Sequence, residues 1–479
     1  MTGAAELHSR LCLREVEVDG AVVDVVIDDG VVTAIGPRGS GRSERAAIDG
    51  GGGALIPGLW DHHIHLLALA AMHDSTVVGP PTVTSREELS ATLRKRAATT
   101  APGDWIRAVG YHESIAGPLD RDQLDGIVDD HPVRVQHRSG ARWILNSEAV
   151  RRVGLDRRAL DGAELDETGR PTGRLHGADA WLREQLAPTS LPDLAGVGAD
   201  LARRGVVGVT DMTPYESVAE LEALAGAVVS GTMPQHVVAT GGPPLTELAF
   251  PVPLRRGPVK LVIDERTFPD FDTLTTWIDR AHRAHRPVAV HCVSRSALAL
   301  VVAAWAEVGA RSGDRIEHGS VIPPELRDEL ARLPVTVVTQ PGFVAERGDQ
   351  YLRDVEGDDV PHLYPCASLL DAGIPVAAST DAPFGRSDPW LAVHAAVQRR
   401  TSGGVALGER EAVDARRALS LFLGEPDDPG GPGRVVRRGA RADLCLLTDP
   451  LGVALASPAD VRVRATLVSG RVVHGPTDG

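Results

Sequence analysis

The chain has 479 residues, of which 43% are hydrophobic and 24% charged, which excludes a wholly disordered or collagen-like chain and indicates either one large barrel with additions or several smaller domains. Its net charge of −15 has the wrong sign for neutralising nucleic-acid phosphates over a broad surface, so we expect no nucleic-acid partner. No run approaches about 20 apolar residues and the first residues lack a basic region followed by an apolar run, so we expect a cytoplasmic protein with no membrane partner.

Short β-prone runs at both ends of the chain predict a small β-domain. Residues 22–27 and 31–35 flank Asp28-Asp29-Gly30, a pattern typical of a hairpin. Residues 442–447, 462–468 and 471–474 form similar short β-prone runs near the other end of the chain. Because an isolated hairpin is only marginally stable in water, we expect residues 1–54 and 425–479 to pair into one composite β-sandwich domain.

Between these ends, short apolar strands alternate with amphipathic helices, which is the pattern of a parallel α/β fold. A series of eight such units favours a TIM-type (β/α)8 barrel over an open sheet. We assign residues 55–75 and 191–424 to this barrel. The predicted barrel strands are 55–60, 206–211, 235–240, 259–263, 288–291, 315–318, 335–339 and 376–380.

The interval between the first two predicted barrel strands is too long for a connecting loop, since long structureless loops are uncommon in compact domains. We therefore assign residues 76–190 to an inserted cap subdomain. Its sequence predicts a helix near 86–98 and strands near 105–110 and 133–137.

Metal-capable side chains stand where four of the predicted barrel strands end, which is where catalytic residues of this fold gather. Asp61, His63 and His65 follow the first strand at alternating positions, so they face the same side. Imidazole nitrogens with a carboxylate suit Zn, with Fe, Ni or Mn as alternatives. We expect one or two divalent metal ions, with Zn as the first choice. The candidates at the other strand ends are His291, His318 and Asp381.

Lys260 lies in the middle of an apolar strand, in a chain whose only other lysine is Lys95. A buried ammonium group is costly unless it is paired or chemically changed. One hypothesis is a structural ion pair with Asp264 or Glu265. The other is a carboxylated lysine, whose anionic carbamate would bridge two metal ions, a role that arginine cannot fill.

Residues 54–65 resemble the PGxxDxHxH opening of the amidohydrolase superfamily, and more closely its YtcJ-like branch, the amidohydrolase 3 family. The motifs at 315–318 and 379–383 also match, and the resemblance extends over most of the chain. It implies a barrel with a sheet domain built from both chain ends, and a metal-dependent hydrolase with a small-molecule substrate. The metal ligands that it implies are His63, His65, Lys260, His291, His318 and Asp381.

The activity implied by the resemblance is hydrolysis of an amide, a cyclic amide or an N-acyl or N-formyl compound by metal-activated hydroxide. Asp381 would act as the general base, and with a single ion His318 would polarise the substrate. Two alternatives stay open: hydrolysis of an ester, carbamate or lactone by the same hydroxide, and a barrel that binds without catalysis. A homo-oligomer is also compatible with the sequence.

Three loops depart from the pattern of the relatives. Gly140-Ala141 stands where they often have Gly-His, Gly177 replaces an acidic residue, and Asp264-Glu265-Arg266 replaces Asp-Gly-Ser. Because these loops are expected to contact substrate, the metal chemistry carries over better than any particular substrate. The candidates for binding a polar or anionic substrate group are Arg138, Arg142, Arg174 and His176.

Overall fold

The computed structural model describes residues 10–40, 46–73, 75–80, 82–157, 160–186, 192–215, 217–263, 265 and 268–476. The chain divides into a larger unit, residues 1–66 with 194–479, and a smaller unit, residues 67–193. Among the helices in the described ranges, none has both the length and the apolar character needed to span a bilayer.

An eight-stranded parallel sheet with helices between its strands forms the barrel of the larger unit. Most strand residues are buried on both faces, as expected for parallel strands that face a packed interior and a layer of helices. In sheet order, which is also chain order, barrel strands 1 to 8 are Leu59–Ile64, Val206–Asp211, His236–Gly241, Arg255–Val262, Val288–Cys292, Arg315–His318, Thr336–Thr339 and Val376–Ala378.

Barrel strands 1 and 8 meet at a closing seam, formed by backbone hydrogen bonds just beyond strand 8. The Asp381 amide donates to the His63 carbonyl, and the His65 amide donates to the Ala382 carbonyl, both at 2.8 Å. These bonds close the barrel at the end where its strands finish. The predicted TIM-type barrel is thereby confirmed.

Two four-stranded sheets built from both chain ends form the β-sandwich of the larger unit. Their inner faces share one hydrophobic core, to which Leu13 and Ile27 contribute from one end of the chain and Leu446 and Leu467 from the other. The predicted association of the two chain ends is confirmed. The first sheet contains Leu11–Val18, Ala21–Asp28, Val31–Pro37 and Ala46–Asp49, and the second contains Leu55–Pro57, Leu444–Leu447, Val463–Val468 and Arg471–His474.

The predicted position of barrel strand 1, residues 55–60, is wrong. Leu55–Pro57 pairs with the sandwich strand Leu444–Leu447, and the barrel strand begins only at Leu59. Gly58 separates the two, and a Cβ atom there would lie 2.1 Å from Val207 Cγ1. The chain thus passes directly from one sheet to the other, and the Pro57-Gly58 pair is the sequence signal that marks the boundary. The other predicted barrel strands overlap the observed ones.

The smaller unit contains a six-stranded mixed sheet with two hydrophobic clusters of its own. The helix predicted near 86–98 is present as Arg86–Ala97, and the strand predicted near 133–137 spans Val133–His137. The predicted domain borders stay a prediction. In sheet order the strands are Ala163–Leu165, Pro171–His176, Arg142–Leu145, Val133–His137, Ile106–Tyr111 and Thr76–Val77.

The barrel helices follow from amphipathic patterns with capped ends. In Phe271–Arg283, for example, Leu274, Ile278 and Ala281 are buried on one face, and the Asp270 carboxylate accepts the Thr273 amide at 2.8 Å. The α-helices of the chain are Leu66–His73, Arg86–Ala97, Glu113–Ala116, Arg121–Asp125, Ser147–Val153, Asp179–Gln185, Ala195–Arg203, Val218–Ser230, Phe271–Arg283, Arg295–Val308, Pro324–Leu330, Gly342–Asp354, Ala367–Asp371, Pro389–Gln398, Ala415–Ser420 and Leu451–Ala456.

Arg399, at the end of helix Pro389–Gln398, is fully buried and donates its hydrogen bonds to backbone carbonyls. Nη1 donates to Tyr364 O at 2.9 Å, Nη2 to Leu363 O at 2.8 Å and Nε to Leu407 O at 3.1 Å. The guanidinium group therefore connects the helix to two separate loops. Leaving one of these buried carbonyls without its donor would lower the free energy of unfolding by about 1–3 kcal/mol.

We expect Arg399→Ala to lower the free energy of unfolding by about 3 kcal/mol or more, because three buried carbonyls lose their donor. The measurement is urea unfolding followed by circular dichroism. Arg400→Ala is the matched control, since the neighbouring Arg400 is exposed and should shift stability by no more than about 0.5 kcal/mol. Equal effects of the two substitutions would contradict this account of Arg399.

Candidate metal centre

His63, His65 and Asp381 converge at the closing seam, with one ligand atom of each within 4.8 Å of the others. His63 Nε2 lies 3.5 Å and His65 Nε2 lies 3.3 Å from Asp381 Oδ1. Ligands bound about 2.1 Å from one tetrahedral ion lie about 3.4 Å apart. The donor spacing therefore fits a single ion held between these three side chains.

The buried polar atoms that have no hydrogen-bond partner within the described structure include these three: His63 Nε2, Asp381 Oδ1 and Lys260 Nζ. Buried polar atoms are normally paired, because leaving one unpaired is unfavourable. Two of the three are the ligand atoms whose spacing fits an ion. The imidazole nitrogens and the carboxylate oxygen are atoms that bind cations, and two of them have no other partner among the described residues. Both observations match a bound cation.

His291 and His318, from the ends of barrel strands 5 and 6, lie beside these ligands. The centroids of the His291 and His318 rings are 4.5 Å apart, and those of the His63 and His318 rings are 4.8 Å apart. Burial and the nearby Lys260 charge lower the pKa of His291 to about 3. Burial also holds the pKa values of His63 and His318 well below the ordinary value. These imidazoles are neutral at neutral pH, which is the form that coordinates metals.

Glu317 fixes the orientation of the His63 ring. His63 Nδ1 lies 2.6 Å from Glu317 Oε2, and Arg315 Nε donates to the other carboxylate oxygen at 2.7 Å. With the proton on Nδ1, the lone pair of His63 is on Nε2, the atom nearest Asp381. Sequence reasoning assigned no role to Glu317, although an Arg-x-Glu pair inside a buried strand is the signal that could have identified it.

Two further imidazoles are held through Nδ1 in the same way. His65 Nδ1 lies 3.1 Å from Thr213 Oγ1, and His318 Nδ1 lies 2.8 Å from Gln340 Oε1. Thr213 and Gln340 follow barrel strands 2 and 7. Hydrogen bonds of this kind fix the tautomer and the orientation of metal-ligating histidines. Sequence reasoning missed both partners, because a lone Thr or Gln after a strand carries no distinguishing signal.

Lys260, in barrel strand 4, is 3% exposed. Burial lowers the pKa of its amine, while the charges of Glu317 and Asp381 oppose that shift. The hypothetical ion pair with Glu265 is absent, since Nζ has no hydrogen-bond partner within the described structure. Its other hypothetical partner, Asp264, lies outside the described residues.

Asp61 connects barrel strand 1 to the end of strand 8 across the closing seam. Its Oδ2 accepts the Thr380 hydroxyl at 2.5 Å, and its Oδ1 accepts the Thr380 amide at 3.1 Å and the His63 amide at 3.2 Å. Burial raises the pKa of Asp61 to about 7. Because its oxygens are engaged in these bonds, Asp61 positions His63 and the segment that leads from Thr380 into Asp381.

The predicted substrate-binding residues lie in the smaller unit. Arg142 Nη1 donates to Glu113 Oε1 at 2.5 Å. Arg174 donates to Glu164 Oε1 at 2.6 Å and to Leu119 O at 2.7 Å. The remaining two candidates, Arg138 and His176, lie in the same unit, where His176 pairs with Arg142 across neighbouring strands. The substrate-binding role of all four stays a prediction.

Comparison with known proteins identifies similar sequences. The model of the amidohydrolase family matches residues 46–474. The chain is 26% identical to an N-substituted formamide deformylase of Arthrobacter pascens, covering 96% of this chain and 94% of that protein. It is 24% identical to the putative amidohydrolase YtcJ of Bacillus subtilis, covering 94% of this chain and 95% of that protein.

Solved structures share the fold. A metal-dependent hydrolase from Pyrococcus horikoshii superimposes with a TM-score of 0.74 at 21% identity, covering 97% of this chain and all (100%) of that chain. N-isopropylammelide isopropylaminohydrolase from Burkholderia multivorans gives a TM-score of 0.54 at 15% identity, covering 97% of this chain and 98% of that chain. At these identities the likeness concerns the fold alone.

We expect Glu317→Gln to weaken metal binding by about 10–100-fold, because the orienting carboxylate of His63 is lost. Metal retained after dialysis against graded chelator concentrations provides the measurement. The matched control is Glu325→Gln, which changes an exposed glutamate bound to Arg295 at 3.0 Å and should leave metal retention unchanged. A folded Glu317→Gln protein that holds metal as tightly as the wild type would contradict the assigned role.

Proposed function

The chain belongs to the amidohydrolase family, whose model matches residues 46–474, and on this premise we propose that it hydrolyses a non-peptide C–N bond in a small molecule. The proposal rests on two buried atoms that have no hydrogen-bond partner among the described residues, His63 Nε2 and Asp381 Oδ1. They lie 3.5 Å apart, which is the spacing of two ligands of one ion. The proposed substrates are amides, cyclic amides and N-acyl or N-formyl compounds. The N-formyl class is supported by the similarity to the formamide deformylase. A cytoplasmic location and the assembly state stay predictions.

The proposed ions are divalent and of the Zn class, because neutral imidazoles and carboxylates are the donors that Zn prefers. Two arrangements are compatible with the donor set. With a carboxylated Lys260 the site holds two ions. Without it, one ion is bound by His63, His65, His291 and Asp381. The full set of proposed ligands is His63, His65, Lys260, His291, His318 and Asp381.

The hydrogen bonding of His318 favours the arrangement with two ions. Gln340 Nε2 donates to Val338 O at 3.4 Å and to Ser379 Oγ at 2.9 Å, so Gln340 presents its oxygen to His318 Nδ1, and that nitrogen carries the ring proton. Since the ring is neutral, Nε2 then bears a lone pair. A lone pair suits coordination of an ion, whereas polarising a substrate carbonyl requires an N–H donor. This tautomer supports His318 as a ligand.

The reaction divides between the bound metal and Asp381. A divalent metal held by these residues would activate a water molecule for attack and polarise a carbonyl group. Asp381 accepts the proton of the attacking water on a carboxylate oxygen and delivers it to the departing nitrogen. Glu317, Thr213 and Gln340 hold the imidazoles in place through their Nδ1 atoms during these steps.

We expect the purified protein to contain about one to two Zn-class ions per chain, to lose activity on strong chelation and to regain it with added metal. Metal analysis combined with assays on N-formyl, N-acyl, cyclic amide, ester and lactone substrates measures both. Hydrolysis of esters or lactones alone would establish the alternative activity. A fully metal-loaded protein that hydrolyses none of these substrates would indicate a barrel that binds without catalysis. Activity in protein without metal would contradict the proposal.

Substitution of Lys260 separates the two arrangements. We expect both Lys260→Ala and Lys260→Arg to lose at least one ion, because neither side chain can form a bridging carbamate. Lys95→Arg, at the other lysine of the chain and on an exposed helix face, is the matched control and should keep its full metal content. Added bicarbonate should speed reactivation of the metal-depleted wild type. An undiminished metal load in Lys260→Arg would support the arrangement with one ion.

A further inference from the structure

A second group of metal-capable side chains lies wholly within the smaller unit. His112, Glu113 and His137 each offer one ligand atom within 4.8 Å of the others. His137 Nε2 lies 3.0 Å from Glu113 Oε2, and the centroids of the two imidazole rings are 5.8 Å apart. The three residues stand at the ends of the adjacent parallel strands Ile106–Tyr111 and Val133–His137, so the sheet itself brings them together.

We propose that His112, Glu113 and His137 form a second divalent metal site of the Zn class, separate from the barrel centre. Two imidazoles and one carboxylate are a ligand set that Zn accepts, with water completing the tetrahedron. All three side chains are partly exposed, which leaves room for that water and for the entry of the ion.

The two imidazoles are held in the same way, each by a serine two residues further along the chain. His112 Nδ1 lies 2.9 Å from Ser114 Oγ, and His137 Nδ1 lies 2.7 Å from Ser139 Oγ. When Nδ1–H donates to the serine hydroxyl, the lone pair of the ring is on Nε2. This is the supporting hydrogen bond that metal-ligating histidines normally make, and the chain repeats it as two His-x-Ser segments.

Binding of the ion requires the same change of tautomer at both imidazoles, because His112 Nδ1 accepts the Ser114 amide at 3.2 Å in the state without an ion. In the hydrogen-bonded state without an ion, Nε2–H of His137 donates to Glu113 Oε2 and Nδ1 accepts the Ser139 amide at 3.1 Å. With the ion bound, the single ring proton is on Nδ1, where Ser139 Oγ accepts it. The ring stays neutral, so no net proton is released from it.

Arg142 fixes the carboxylate and also sets the strength of the site. Arg142 Nη1 donates to Glu113 Oε1 at 2.5 Å, which leaves Oε2 on the side of His137. A guanidinium group so close repels a cation. We therefore expect this site to bind more weakly than the barrel centre and to empty first during graded chelation.

The competing explanation is an ion-pair network of Glu113, His137 and Arg142 that takes no metal. Equilibrium dialysis of the full chain against Zn²⁺, followed by metal analysis, separates the two explanations. The wild type should take up about one ion per chain more than His112→Gln or His137→Gln. Glutamine at 137 keeps an N–H donor for Glu113 but has no imidazole, so the network explanation predicts no loss of metal.

His73→Gln is the matched control, since His73 is an exposed histidine of the same unit and should leave the uptake unchanged. Ser139→Ala removes the Nδ1 acceptor together with a long bond from the Ala141 amide at 3.4 Å, and it should weaken uptake at this site by about 10–100-fold. Wild-type metal uptake by the folded His112→Gln and His137→Gln proteins would overturn the proposal. If those two variants failed to fold, unchanged metal uptake by Ser139→Ala would overturn it. The result is a difference in ions bound, so it does not depend on whether the barrel centre is catalytic.

Discussion

Closure of the barrel between strands 1 and 8 is the constraint on which the candidate metal centre depends. His63 and His65 come from the first strand and Asp381 from the last, and the backbone bond from Asp381 to the His63 carbonyl at 2.8 Å holds them in register. Asp61 adds a second connection to Thr380, 319 residues further along the chain. Because the ligands lie on both sides of this seam, the centre exists only in the closed barrel.

The closed barrel also holds its ligands in unfavourable conformations. His318 and Asp381 have φ values of 71° and 53°, in the left-handed region that side chains other than glycine rarely adopt, at a cost of about 1–3 kcal/mol each. The buried Arg315 and Glu317 are paired at 2.7 Å, so their charges are compensated, whereas Lys260 Nζ and Asp381 Oδ1 are left without hydrogen bonds. Backbone strain and unmet polar atoms therefore occur together at this centre, a combination that is common at functional sites, although each also occurs elsewhere in the chain.

The sequence could single out His63, His65 and Asp381, which the structure brings together, because alternation along a strand and position at a strand end are local properties. Apolar character alone could not locate the start of barrel strand 1, because the residues on both sides of Pro57-Gly58 are apolar and only that turn-prone pair marks the boundary. The sequence also could not identify Thr213 and Gln340, whose importance comes only from the imidazoles that lie beside them in space. Nor does the sequence single out His112, since its partner His137 becomes a neighbour only when their strands pair.

Both clusters combine histidines with a carboxylate at strand ends. In the barrel these side chains lie across the closing seam, and at His112 they follow two adjacent parallel strands. The surroundings of the two clusters differ. In the barrel, His63 and Asp381 are buried with unpaired atoms, so a cation satisfies groups that water cannot reach. At the other cluster, Glu113 is already bound by His137 and Arg142, so a cation must displace an existing hydrogen bond beside a positive charge. The same ligand types should therefore hold an ion tightly for chemistry in one place and reversibly in the other.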